Sequence, residues 1–121
     1  MKYKTSLGEC VEFIAGDSSR LREILHPAKQ KIKLRYSLAH FRVAPGQKTA
    51  KHALKTSEVY FLLSGRGKMH ISNEEFEVEA NDTIYIPPGE VQYIENVSKE
   101  ELVALCIVDP AWKKEDEIIY E

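Results

Sequence analysis

Eight short runs rich in Val, Ile, Tyr and Phe, each closed by Gly, Pro, Asn, Asp or Ser, limit what this chain can become more than any other feature. They occupy residues 11–15, 36–44, 58–63, 68–72, 75–80, 83–86, 91–95 and 102–108. Between them stand Pro45-Gly46, Ser64-Gly65-Arg66-Gly67, Asn73-Glu74, Asn81-Asp82 and Pro87-Pro88-Gly89, residues that either fix φ or tolerate a positive one. Strands of this length at this spacing predict an all-β sandwich or barrel. One short helix is expected, near the start: Asp17 or Ser18 can cap it, Leu21, Ile24 and Leu25 fall at i, i+3 and i+4, and Pro27 stops it.

The 121 residues predict one domain, and a hydrophobic content of 43% supplies a core without disulfides. Its expected parts are an N-terminal strand and helix extension (1–35), a barrel (36–108) and a C-terminal tail (109–121). The first ten residues lack the apolar centre of a secretory signal, and no apolar run is long enough to span a bilayer, so a cytoplasmic protein without a membrane partner is expected. Cys10 and Cys106 are too few for a disulfide framework, and both are read as reduced, Cys106 as a small core residue. Basic residues crowd 29–55, but the chain's net charge is −2 and its acidic half can neutralise them within the fold, so no nucleic-acid partner is expected.

Alternation assigns faces, because successive strand residues point to opposite sides of a sheet. Phe41 and Val43 share one face with Ala39, Tyr60 and Leu62 share one with Glu58, and Gln92 shares one with Ile94. The opposite face of the Glu58 strand carries Val59, Phe61 and Leu63, which need a cover, and a homodimer is expected to provide it. Trp112, Ile118, Ile119 and Tyr120 are apolar residues in a charged tail, which suggests docking on the domain or exchange with a partner. His40 and His70 alternate with apolar neighbours and are expected to point outward, while His26 is expected to meet the last carbonyls of the short helix.

One window is chemically informative. Gly46, five residues, His52, one residue, Leu54, three residues, Glu58, six residues and Gly65 resemble the first motif of the cupin family, with Leu54 where a second histidine usually stands. Pro87, Gly89, Gln92 and Asn96 resemble the second motif, with Gln92 in place of its histidine and Asn81-Asp82 where a Gly-Asp turn is usual. The resemblance implies a cupin jelly-roll β-barrel, commonly dimeric, whose interior holds a divalent metal on three histidines and a glutamate.

Carried onto this chain residue by residue, the resemblance makes His52, Glu58 and Gln92 the candidate metal ligands, with Gln92 offering a carbonyl oxygen. Leu54, Tyr60, Leu62, Ile84 and Ile94 are the candidate pocket walls. Two functions follow. One is a metal-dependent enzyme, isomerase-like or dioxygenase-like, in which Zn, Fe, Mn or Ni activates a small polar substrate. The other is a non-catalytic module that binds a sugar or an organic acid without metal, favoured by the loss of imidazoles at positions 54 and 92. Catalytic residues are not assignable from the sequence. No nucleophile elbow, phosphate loop or His-Glu-x-x-His pattern is present.

Overall fold

Leu102, Ala104, Cys106 and Val108 are buried while the residues between them are more open, and this period-two pattern marks a strand central to the larger of two sheets. The computed structural model describes residues 3–120, so Met1, Lys2 and Glu121, the outermost positions of the two terminal extensions, lie outside the described residues. The strands are Phe13–Ile14 (β1), Arg20–Leu25 (β2), Ser37–Val43 (β3), His52–Leu54 (β4), Ser57–Ser64 (β5), Arg66–Ile71 (β6), Glu74–Glu79 (β7), Thr83–Ile86 (β8), Gln92–Asn96 (β9), Leu102–Asp109 (β10) and Glu117–Ile119 (β11). They form a six-stranded sheet, β1-β2-β3-β10-β5-β8, and a five-stranded sheet, β11-β4-β9-β6-β7. The strand pairings are antiparallel, giving the expected all-β jelly roll.

The core lies between the sheets. Phe41, Tyr60, Leu62, Met69, Ile94 and Leu102 are among its most enclosed side chains. Phe41 meets the Tyr60 ring edge-on at 4.8 Å between centroids. Gly65 and Gly67, which flank the β5–β6 turn, are dictated by close packing rather than by flexibility. Gly65 has φ +85, and a Cβ there would stand 2.5 Å from the Glu101 carbonyl oxygen; a Cβ on Gly67 would stand 2.6 Å from that of Glu95.

The short helix is present but displaced. Residues 20–25 form strand β2, paired with β3 through Leu21↔Phe41 and Glu23↔Ala39, and the helix (α1) is the single turn Pro27–Gln30. Pro27 therefore begins the helix instead of ending it, since its missing N–H costs nothing in a first turn. The apolar spacing at 21, 24 and 25 suits a strand as well, because a register shift between Glu23 and Leu25 changes which residues face inward. The open edge of β3 supplied a pairing partner that local propensity could not overrule. Asp17 likewise closes a tight turn in place of capping a helix: its Oδ1 accepts from the Ser19 amide at 3.0 Å and the Ser19 hydroxyl at 2.7 Å.

His26 is the N-cap of α1, its Nδ1 accepting from the Ala28 amide at 3.1 Å and its Nε2 lying 2.8 Å from the Trp112 carbonyl oxygen. This corrects its expected place at the helix C-terminus and follows from Pro27 starting the helix. The tail docks on its own chain: β11 pairs with β4, and Trp112 packs against the core. Among the described residues, no helix is long and apolar enough to cross a membrane.

Candidate functional site

The two sheets bring the motif residues together from opposite sides. His52 on β4 is the register partner of Gln92 on β9 in the smaller sheet. Glu58 on β5 pairs with Val108 on β10 in the larger sheet, which places Cys106, two residues earlier, on the same inward face. All four side chains point between the sheets, and His52 and Gln92 are only 2% and 1% exposed.

A continuous hydrogen-bond chain occupies the centre. The Tyr60 hydroxyl donates to Gln92 Oε1 at 3.0 Å, Gln92 Nε2 donates to Glu58 Oε1, and the Cys106 thiol stands 2.8 Å from Glu58 Oε2. Gln92 thus ties the smaller sheet to the larger with both ends of its amide. Burial pushes the Glu58 carboxyl above the usual carboxylate range, against the pull of the Cys106 thiol and His52. Burial also raises Tyr60 and Cys106 well above their ordinary values, with the Glu58 charge adding to each, so phenol and thiol stay protonated and serve as donors.

Beside this chain lies a cavity of about 100 Å³. Leu54, Leu21, Ala39, Val108, Phe13 and Trp112 form its apolar walls, and His52, Glu58 and Cys106 line it along with Asp17, Glu23 and Glu117. The His52 ring is fixed by Nδ1, 2.8 Å from the Ala50 carbonyl oxygen, which makes Nδ1 the protonated nitrogen of the neutral ring. Its Nε2 is 3.6 Å from Asp17 Oδ2, longer than a hydrogen bond. Glu117 is raised by its partial burial, opposed by His52.

Of the residues expected at the site, His52, Glu58 and Leu54 line the cavity. Gln92 and Tyr60 stand behind Glu58 as its supports. Leu62, Ile84 and Ile94 are packed in the closed core. Asp17, Cys106, Trp112 and Glu117 line the cavity and were missed. Cys106 could have been found from its parity with Ala104 and Val108 once β10 was placed beside β5. Asp17 and Glu117 carry no local signal, because the termini reach the cavity only through the pairing of β2 with β3 and of β11 with β4.

The donor set tests the metal that the motif resemblance implies. Leu54 offers no lone pair, Gln92 Oε1 accepts from Tyr60, and both Glu58 oxygens are engaged by neighbours. Among the described residues, no group of three or more His, Cys, Asp or Glu side chains is arranged to hold a metal ion. The residues present therefore do not reproduce a multi-donor metal centre.

Comparison with known proteins bears on the fold. The family model for the cupin domain matches residues 39–108. An uncharacterised protein of Methanocaldococcus jannaschii is 43% identical over 119 residues, covering 98% of this chain and 94% of its own length. Oxalate decarboxylase of Bacillus subtilis superposes with a TM-score of 0.80 at 23% identity, covering 94% of this chain and 30% of that one. A predicted oxalate decarboxylase from Thermotoga maritima gives 0.76 at 20% identity, with 88% and 98% covered. The chain thus spans under a third of the Bacillus structure, and at these identities the likeness to both structures is one of fold.

Proposed function

This chain belongs to the cupin family, and we propose that it is a member whose barrel binds a small organic molecule without a resident metal. The observation that carries this reading is the cavity itself. Glu58 and Gln92 are spent on each other, on Cys106 and on Tyr60, while about 100 Å³ beside them is bounded by apolar walls and by the free edge of His52. An engineered apolar cavity of about 150 Å³ holds a benzene-sized molecule, so a compact ligand, or one end of a longer one reaching in through the mouth, suits this space. Apolar walls supply affinity, and the few polar groups fix orientation.

Trp112 is the sole tryptophan and stands in the cavity wall, which makes its fluorescence a native reporter. A panel of small polar and amphipathic molecules should include some that shift its emission and raise Tm equally with and without a chelator. Ligand responses that vanish with the chelator and return on adding a divalent metal would overturn the reading.

A second reading, an enzyme with an ion held by His52, Glu58 and Gln92, is favoured by one observation: the Ala50 carbonyl fixes His52 in the tautomer that leaves Nε2 available. Metal analysis separates the two. A homodimer is proposed as well, supported by the half-exposed Phe61, Leu63 and Ile107 on the outer face of β5 and β10. Light scattering at the mass of one chain would refute it. The two buried free thiols favour a reducing, cytoplasmic compartment.

A further inference from the structure

The polar groups around the cavity are unequal in sign. Four carboxyls line it, those of Asp17, Glu23, Glu58 and Glu117, against the single imidazole of His52, and no Lys or Arg is among the described lining residues. The carboxyls work against one another: the Asp17 charge helps to raise both Glu58 and Glu117. A ligand carboxylate would add another like charge inside a partly desolvated space, whereas a cation would relieve the repulsion already there.

Geometry narrows the kind of cation. His52 is 2% exposed and its Nδ1 proton goes to the Ala50 carbonyl, so whenever the ring carries a single proton Nε2 is its acceptor. Facing it at 3.6 Å is a second acceptor, Asp17 Oδ2, whose companion Oδ1 is already occupied by Ser19. In that tautomer both atoms are acceptors and neither can donate to the other. A group carrying at least two N–H bonds satisfies both at once. Leu21, Leu54, Val108 and Trp112 give the wall an apolar part that suits an aliphatic or aromatic body. Trp112 and Glu117 line the same cavity, so cation capture near that acid alters the indole's surroundings.

We propose that the ligand of this cavity is a small primary ammonium ion on an apolar body, its N–H groups shared between His52 Nε2 and Asp17 Oδ2, and that carboxylates are rejected. This rests on the small-molecule-binding reading above and selects the chemical class within it. It departs from the sugar or organic acid expected from the sequence, because the acids that set the sign come from the chain termini.

The test is a titration of the full chain at neutral pH with n-butylammonium, n-butanol and n-butyrate, molecules matched in size and different in charge. It is followed by Trp112 fluorescence and by thermal shift. Butylammonium should bind at least about tenfold more tightly than butanol, with butyrate weakest. Asp17→Asn, which preserves the Oδ1 contacts to Ser19, should weaken butylammonium by about tenfold and leave butanol unchanged. Glu117→Gln, a second variant on strand β11, should weaken it in the same direction should Asp17→Asn fail to fold. Butyrate binding as well as butylammonium, or loss of the acids leaving the ratio of ammonium to alcohol unchanged, would overturn the proposal. Binding of all three probes without preference would do so while leaving the binding function intact. Silence to all three by both readouts would sink both.

Discussion

Replacing Glu58 by Gln removes the carboxyl at the centre of the buried hydrogen-bond chain while keeping its shape. In the native protein this carboxyl is 6% exposed and holds its proton to higher pH than an ordinary glutamic acid, because burial disfavours the charged form. The sign follows from proton counting. Below the ordinary glutamate value, near 4.3, folded and unfolded chains are both protonated at this site. Between that value and the raised folded one, the unfolded chain releases a proton that the folded chain keeps, so native stability falls as pH rises through the window. The slope can reach about 1.4 kcal/mol per pH unit for one group. One full pH unit at that slope is worth roughly 5–6 °C in Tm for a domain of this size. Glu58→Gln lacks the proton and therefore lacks the slope. Tm of both proteins, measured by circular dichroism at half-unit steps from pH 4 to 8, should give a difference, variant minus wild type, that climbs with pH and then levels off or continues upward. Other titrating groups cancel in that difference. At acid pH the variant should be the less stable of the two by about 1–2 kcal/mol, because its amide keeps one carbonyl acceptor for Gln92 Nε2 and sets an NH2 in place of the oxygen facing the Cys106 thiol. A difference that is flat, or that falls with pH, would refute the claim that Glu58 is buried at the cost of its charge.

Leu54→His places an imidazole where the first motif lacks one, two residues from His52 on the same strand, and should tighten binding of Zn or Ni by about tenfold or more. Isothermal titration of untagged proteins checks this, and no gain would mean that position 54 does not reach the His52 side of the cavity. Gly65→Ala should destabilise the fold by about 3 kcal/mol in urea unfolding, since φ +85 strains an L-residue and its Cβ would press on the Glu101 carbonyl and Leu102 Cα; a loss under about 1 kcal/mol would show that the strand end relaxes freely. Glu12, hydrogen-bonded to Arg42, has its carboxyl held down to about 2. Its contribution is therefore complete above the ordinary glutamate value and is lost as pH falls toward 2. An acid titration of Tm should show this loss in wild type, less of it in Glu12→Gln, and a smaller gap in high salt, because the pair is partly open to solvent.

The barrel was legible because its signals are local. Gly46, His52, Glu58 and Gly65 keep their spacing because a turn, an inward strand face and a close crossing each demand a particular residue, and Gly65 in the structure does meet a backbone it must not touch. Asn96, which the second motif also contains, is buried with its amide donating to the Val43 and Glu100 carbonyls, so its place in the motif is explained by packing between loops. The parts that escaped are those decided by distant pairing. Residues 20–25 carry a spacing that suits a helix or a bulged strand, and the edge of β3 chose between them. The strands at 52–54 and 117–119 are too short and too charged in their surroundings to announce themselves, yet they pair with each other and carry His52 and Glu117 to the cavity. The ligand-facing acids were invisible for the same reason.

Elemental analysis of untagged protein, purified without chelator and run beside His52→Ala, tests the central claim most directly. A barrel that binds its ligand without a resident ion predicts a metal content far below one per chain, the same in both proteins, with Tm indifferent to chelator. Close to one metal per chain in the wild type, lost in His52→Ala, would contradict it and restore an ion held by His52, Glu58 and Gln92 as the working centre of this cupin.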